Sequence, residues 1–109
     1  MIFQKLSEIP SQEHIPGFHG KLIHTGTLTL AYWQIKAGAV LPEHHHPQEQ
    51  VANLLQGSFE LTVDGDTRQL EPGEVAVIPP HVPHSGRALT DCEILDVFHP
   101  EREAYRSDG

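Results

Sequence analysis

Pro42-Glu43-His44-His45-His46-Pro47-Gln48-Glu49-Gln50 gathers three imidazoles, two carboxylates and two amides into nine residues, between stretches that read as β structure. Alternate side chains of a strand share a face, so His44 and His46 point one way and His45 the other. Two positions along a strand span ~6.5 Å, a gap that two imidazoles can bridge onto one metal ion at ~2.1 Å per bond. Gln50 keeps the same parity and is a third candidate ligand, provided that Pro47 does not shift the register. Such a site requires a fourth ligand from elsewhere in the chain.

Outward from this stretch the chain reads as short strands. Thr27 to Ile35 (Thr-Leu-Thr-Leu-Ala-Tyr-Trp-Gln-Ile) is rich in β-branched and aromatic residues and carries apolar groups on both faces, as a strand covered on each side does. Gly38 ends it. Val51 to Leu55 reads as a buried strand, and Gln56-Gly57 as a tight turn. Ser58 to Val63 alternates with Phe59, Leu61 and Val63 inward, and Asp64-Gly65 is a hairpin signal returning through Thr67 to Leu70. Glu71-Pro72-Gly73 turns again into Glu74 to Ile78, which Pro79-Pro80 ends. His84 to Ala88 and Asp91 to His99 complete the series. Upstream, Met1 to Leu6 is read as an edge strand, Ser7 to Gly20 as loop, and Lys21 to His24 as a short strand. Helix is expected only over Glu101 to Arg106, since no stretch sustains a 3.6-residue period. Eight to ten short strands with a turn every six to ten residues indicate an all-β sandwich or barrel.

At 109 residues the chain is long enough for one domain with one core. The formal net charge of −8 disfavours nucleic acid and anionic membrane as partners. An acidic ligand would therefore need a local positive centre, such as a metal or an arginine. The single cysteine, Cys92, rules out an intrachain disulfide and any Cys-x-x-Cys site. Met1-Ile2-Phe3-Gln4-Lys5 lacks the build of a signal peptide, and no apolar run approaches membrane-spanning length, so a soluble cytoplasmic protein is expected.

Gly38, His44-x-His46, Gln50 and Gly57, followed by Pro72-Gly73-Glu74 and Ile78-Pro79-Pro80-His81-Val82-Pro83-His84, resemble the paired motifs of the cupin superfamily. The resemblance covers roughly residues 36 to 100. It implies a cupin-type double-stranded β-helix, a jelly-roll barrel, as the single domain 1–109, with its motif-bearing core at about 27–100. It also implies one divalent transition metal bound by His44, His46, Gln50 and His84, and three histidines with an amide suit Zn, Mn, Fe, Ni or Co alike. The chain departs from the commonest family pattern at one ligand, having Gln50 where Glu is usual. A neutral ligand set leaves the metal its full charge, which favours an anionic ligand such as a carboxylate.

A narrower resemblance lies in Ile94-Leu95-Asp96-Val97-Phe98-His99-Pro100-Glu101-Arg102 together with the Gln ligand. These residues are similar to those of the pectin- and alginate-pathway cupins that linearise 4,5-unsaturated uronates, and the resemblance makes Asp96 the acid/base. Asp96 also shares parity with apolar Ile94 and Phe98, which sets a carboxylate on an inward face, where it needs a partner. Arg102, Arg87 and Lys21 are candidates to hold a substrate carboxylate, and Arg102 is equally a candidate structural partner of Asp96. Tyr32 and Trp33 are core residues either of which can wall a sugar ring. His14 and His19, isolated in the expected loop, are read as solvated side chains. His24 and His99 are read as structural, His81 as an exposed turn residue and Cys92 as a small buried apolar one. The same residues suit three activities: a ring-opening enzyme acting on a small acidic sugar, a metal-dependent oxygenase, or a non-catalytic sugar-binding module. Exposed sheet edges and faces lead to the expectation of a homodimer.

Overall fold

A computed structural model of the chain describes residues 2–105. Met1 of the expected amino-terminal strand and Arg106 of the expected helix lie outside the described residues. Among the described residues ten strands run β1 (Gln12–Ile15), β2 (Phe18–His24), β3 (Thr29–Ile35), β4 (Val40–His44), β5 (Glu49–Gln56), β6 (Phe59–Val63), β7 (Asp66–Leu70), β8 (Val75–Ile78), β9 (His84–Ala88) and β10 (Cys92–His99). They form a six-stranded sheet ordered β1-β2-β3-β10-β5-β8 and a four-stranded sheet ordered β4-β9-β6-β7. Every pairing is antiparallel. The two sheets enclose the core as a jelly-roll barrel, in which Phe18, Trp33, Leu54, Phe59, Ile78 and Phe98 are buried.

The turns follow from local chemistry. Asp64 (φ 49°) and Gly65 (φ 81°) both take positive φ, the type I′ geometry whose twist matches the flanking strands, so Val63 pairs with Asp66. Gly57 takes φ 90°, and a Cβ there would collide with the Asp91 carbonyl oxygen.

The amino-terminal region differs from expectation. No strand covers residues 2–6, and Leu6–Glu8 is a single 3-10 turn. The segment read as loop is instead the β1–β2 hairpin, turned by Pro16-Gly17 with Gly17 at φ 85°. Proline before a positive-φ glycine is a type II turn signal, and the sheet therefore begins upstream of residue 27. At the other end, among the described residues, only Glu103–Tyr105 is helical, as one 3-10 turn. Nor is β3 covered on both sides: Thr29, Ala31, Trp33 and Ile35 are buried, whereas Leu30 and Tyr32 are half-buried and Gln34 is exposed.

Candidate metal centre and cavity

Alternation carries the histidine cluster inward even though β4 ends at His44. His46, Gln48 and Gln50 are buried, while His45, Pro47 and Glu49 are exposed, so Pro47 leaves the parity intact. On the amino-terminal side a β-bulge does the aiming. Leu41 pairs with Gly86 and His44 with His84, which places three steps on β4 against two on β9. The extra residue falls at Pro42-Glu43, a position in a strand where proline is tolerated. It turns His44 to the same side as Leu41 and sets it beside His84, with ring centroids 4.2 Å apart. His46 lies 5.0 Å from His84 and 5.5 Å from His44 by the same measure. One ligand atom from each of the three falls within 4.8 Å of the others.

The ring nitrogens are already sorted for metal binding. Nδ1 of His44 donates to the Pro42 carbonyl (3.0 Å), Nδ1 of His46 to Gln48 (3.0 Å) and Nδ1 of His84 to Val82 (2.9 Å). A carbonyl can only accept, so each Nδ1 carries the proton and each Nε2 a lone pair, the tautomer that outer hydrogen bonds fix in metal-ligating histidines. His84 Nε2 is buried without a partner. Nε2 of His46 lies 3.1 Å from Oε1 of Gln50, while the amide N–H side of Gln50 favours the ionised form of Asp96. Two lone pairs then face each other at hydrogen-bonding distance with no proton between them, an arrangement that a shared cation relieves. Burial, the Arg102 charge and His84 hold the His46 pKa down at about 4, and burial lowers that of His84, so both rings stay neutral as ligands must. The donor set thus fits a divalent metal, with His44, His46 and His84 as nitrogen ligands and Gln50 as an oxygen ligand.

A cavity of about 410 Å³ opens beside this group and runs into the barrel. His44, His84, Gln50, Asp96 and Arg102 line its polar part. Asp96 sits in a row of small residues: its cross-strand neighbours are Ala31 on β3 and Ala52 on β5, and Ala52 in turn faces Ala76 on β8. The two methyl groups flanking the carboxylate, with a third beyond Ala52, leave open space above it. Trp33 Nε1 donates to Asp96 Oδ2 at 3.0 Å, and Asp96 Oδ1 is buried without a partner. Gly20 makes room for this indole, since a Cβ there would lie 2.6 Å from the Trp33 ring. Burial pushes the Asp96 pKa up to about 6, against the opposing pull of Gln50, Trp33 and Arg102.

Arg102 reaches the cavity from the carboxyl-terminal segment. Its backbone N–H donates to Thr29 Oγ1 (2.9 Å), the hydroxyl that also meets His24 Nδ1 (2.8 Å). Its guanidinium lies over Tyr105 (4.4 Å) and Phe98 (5.4 Å). Its Nε is another buried atom with no partner. Among the described residues, four of the five residues bearing such atoms (His14, His84, Asp96 and Arg102) line this one cavity. Buried orphans are few in folded proteins, and their convergence marks a place built for a ligand.

The other expected substrate contacts do not reach the cavity. Arg87 alternates with inward His84 and Ala88, so it lies on the outer face, 3.8 Å from Glu60. Lys21 and Tyr32 are cross-strand partners whose face is opposite that of Trp33, and Lys21 Nζ donates to the Leu6 carbonyl (2.8 Å). His45, His81 and His99 are exposed. Conversely, His14 and Tyr105 line the cavity although sequence reading assigned neither a role. The signal for His14 was the Pro16-Gly17 turn, which makes a strand of the segment carrying it.

A double-stranded β-helix with a three-histidine group beside its interior cavity defines the class, and the comparisons agree. The model of the Cupin_2 family, a cupin domain, matches residues 31–98, and the chain belongs to the cupin family. It is 29% identical over 101 residues to the pectin degradation protein KdgF of Dickeya dadantii, covering 90% of this chain and 92% of that one. The solved structure of KdgF from Halomonas sp. superposes with a TM-score of 0.86 at 33% identity, covering 92% of this chain and 94% of that one. Protein SchB of Streptomyces halstedii is 33% identical over 75 residues, 68% of this chain, and the chain spans about half (54%) of that relative's length.

Proposed function

We propose that the chain is a metal-dependent enzyme that opens 4,5-unsaturated uronate sugars to keto acids, with Asp96 as acid/base. The observation that carries this reading is the buried Asp96, its Oδ1 unpartnered, lining the same cavity as His44, His84 and Gln50. The likeness to two KdgF proteins, one of them named for pectin degradation, supports a uronate as the substrate class. A divalent metal (Zn, Mn, Fe, Ni or Co) held by His44, His46, His84 and Gln50 would supply a positive centre for the substrate carboxylate, undiminished by ligand charge.

The residues divide the remaining work. Arg102 presents a fixed positive charge beside the cavity and orients the acid group. Asp96, with a pKa of about 6, is poised to hold a proton or release it near neutral pH. In the protonated form it gives that proton to C4 of the enol ether while water adds its oxygen to C5 and gives a proton back to the Asp96 carboxylate. The hemiketal then opens: the C5 hydroxyl loses its proton, the bond from C5 to the ring oxygen breaks, and the ring oxygen takes up a proton, leaving a ketone at C5. The Trp33 N–H fixes the carboxyl orientation throughout.

The test is loss of the double-bond ultraviolet absorbance when metal-loaded protein meets unsaturated galacturonate, with Asp96→Asn as control. Loss that requires both the metal and Asp96 is the expected result. Absence of turnover in fully metal-loaded protein would refute it, and binding without turnover, indifferent to Asp96→Asn, would instead identify a sugar-binding module.

We further propose that two chains pair through the outer face of the six-stranded sheet. Ile23, Leu30, Val97, Val51 and Val77 lie in register across β2, β3, β10, β5 and β8 and make a continuous apolar row on that face. Val77 is 61% exposed at the sheet edge, and a row of this kind is stabilised by being covered.

A further inference from the structure

We propose that His14 is a substrate-contacting residue of this site, hydrogen-bonding a sugar hydroxyl on the side of the cavity away from Gln50; the inference rests on the uronate reading above. Its position is set by a β-bulge. Glu13 pairs with His19 and Ile15 with Phe18, so two steps on β1 oppose one on β2. In a regular strand consecutive side chains take opposite faces, yet His14 and Ile15 both line the cavity. The bulge re-aims the imidazole inward, as the bulge in β4 does for His44.

Packing alone does not account for the residue. His14 makes edge contacts with Trp33 (centroids 5.2 Å) and Tyr105 (5.3 Å), and any aromatic ring would serve there. What distinguishes the imidazole is Nε2, which is buried with no hydrogen-bond partner. Burial also lowers its pKa, so the ring is neutral at pH 7, with one N–H and one lone pair. A neutral imidazole suits a hydroxyl, which both donates and accepts, rather than a carboxylate. Trp33 joins the two ends of the arrangement. Its N–H holds Asp96, its ring abuts His14, and its indole lies on the cavity wall. On the six-stranded sheet β2, β3 and β10 separate His14 on β1 from Gln50 on β5. A pyranose held by its acid group near the metal ligands and Arg102 would then meet His14 through a hydroxyl distant from that acid group.

The experiment is steady-state kinetics of the metal-loaded protein on unsaturated galacturonate, comparing wild type with His14→Phe and His14→Gln. Phenylalanine keeps the ring packing and removes the nitrogen; glutamine restores a donor and an acceptor. Loss of one neutral hydrogen bond should raise KM about three- to tenfold in His14→Phe, with kcat and metal affinity unchanged and an intermediate KM in His14→Gln. A wild-type KM in His14→Phe overturns the assignment while leaving the uronate reading in place. Absence of turnover in fully loaded wild type overturns that reading and this inference with it. Should either variant misfold, as judged by emission from Trp33, the sole tryptophan, the imidazole 15N resonances of wild type are followed on adding D-galacturonate. A shifted His14 Nε2 resonance supports the contact, and an unmoved one at saturation refutes it.

Discussion

Asp96→Asn should make the metal-free protein more stable relative to wild type as the pH is raised, because the carboxylate is held at a cost. Asp96 is 8% exposed, and its pKa is raised from the ordinary 3.8 to about 6. The folded chain therefore binds this proton more tightly than the unfolded chain. Unfolding free energy changes with pH in proportion to protons bound by the unfolded minus the folded state, so this term is negative between pH ~4 and 6. Stability from the protonated carboxyl is fully present below pH ~4, is lost as the pH rises to 6, and changes no further above it. Two pH units at ~1.4 kcal/mol each give ~3 kcal/mol.

The substitution removes that titration. It also introduces an amide N–H where Oδ1 has no partner, an offset of ~1–3 kcal/mol that does not vary with pH. The discriminating quantity is therefore the change with pH, not the difference at any one pH. Urea unfolding of chelator-treated wild type and Asp96→Asn from pH 4 to 8 should show the variant gaining ~3 kcal/mol on wild type across pH 4–6. Histidines oppose this slope in both proteins. The pKa of His46 is lowered to about 4, and those of His14 and His84 are also lowered, so they add stability as pH rises toward 6.5. Subtracting the two profiles removes their contribution. A difference that stays flat from pH 4 to 8 would show that Asp96 titrates normally and would remove the physical basis for its role as acid.

Metal-induced thermal stabilisation should survive at pH 5.5 and decline toward pH 4, because His46 remains neutral to about pH 4 and His84 is shifted the same way; complete loss by pH 6, read from melting temperatures with and without Zn²⁺, would contradict this. Gly57→Ala should cost ~3 kcal/mol, since Gly57 takes φ 90° and a Cβ would strike the Asp91 carbonyl, and an unchanged urea midpoint would refute it. Val77→Asp, at the exposed end of the apolar row, should turn a dimer into a monomer by light scattering; a wild type that is itself monomeric at high concentration would dispose of the pairing.

Strand parity explains both what the sequence revealed and what it hid. His44, His46, Gln50 and Asp96 were legible because each is even-numbered within a locally alternating stretch, and alternation continued through Pro47 where a break was conceivable. The same rule, applied outward from His84, puts Arg87 on the solvent face; applied from Trp33, it puts Tyr32 there too. Their charge or aromatic character made them attractive ligand contacts, but side-chain type carries no information about face. His14 was hidden for the opposite reason. Its inward aim comes from a bulge, which is a mismatch between two strands and has no signature in either strand alone. Tyr105 depends on where the carboxyl-terminal turn docks, on Phe98, Trp33 and Arg102, a tertiary fact beyond any local pattern. The residues that pattern reading missed are thus those placed by departures from regular geometry. In a barrel whose interior is otherwise filled by alternation, such departures add polar groups that alternation alone would not bring to the cavity.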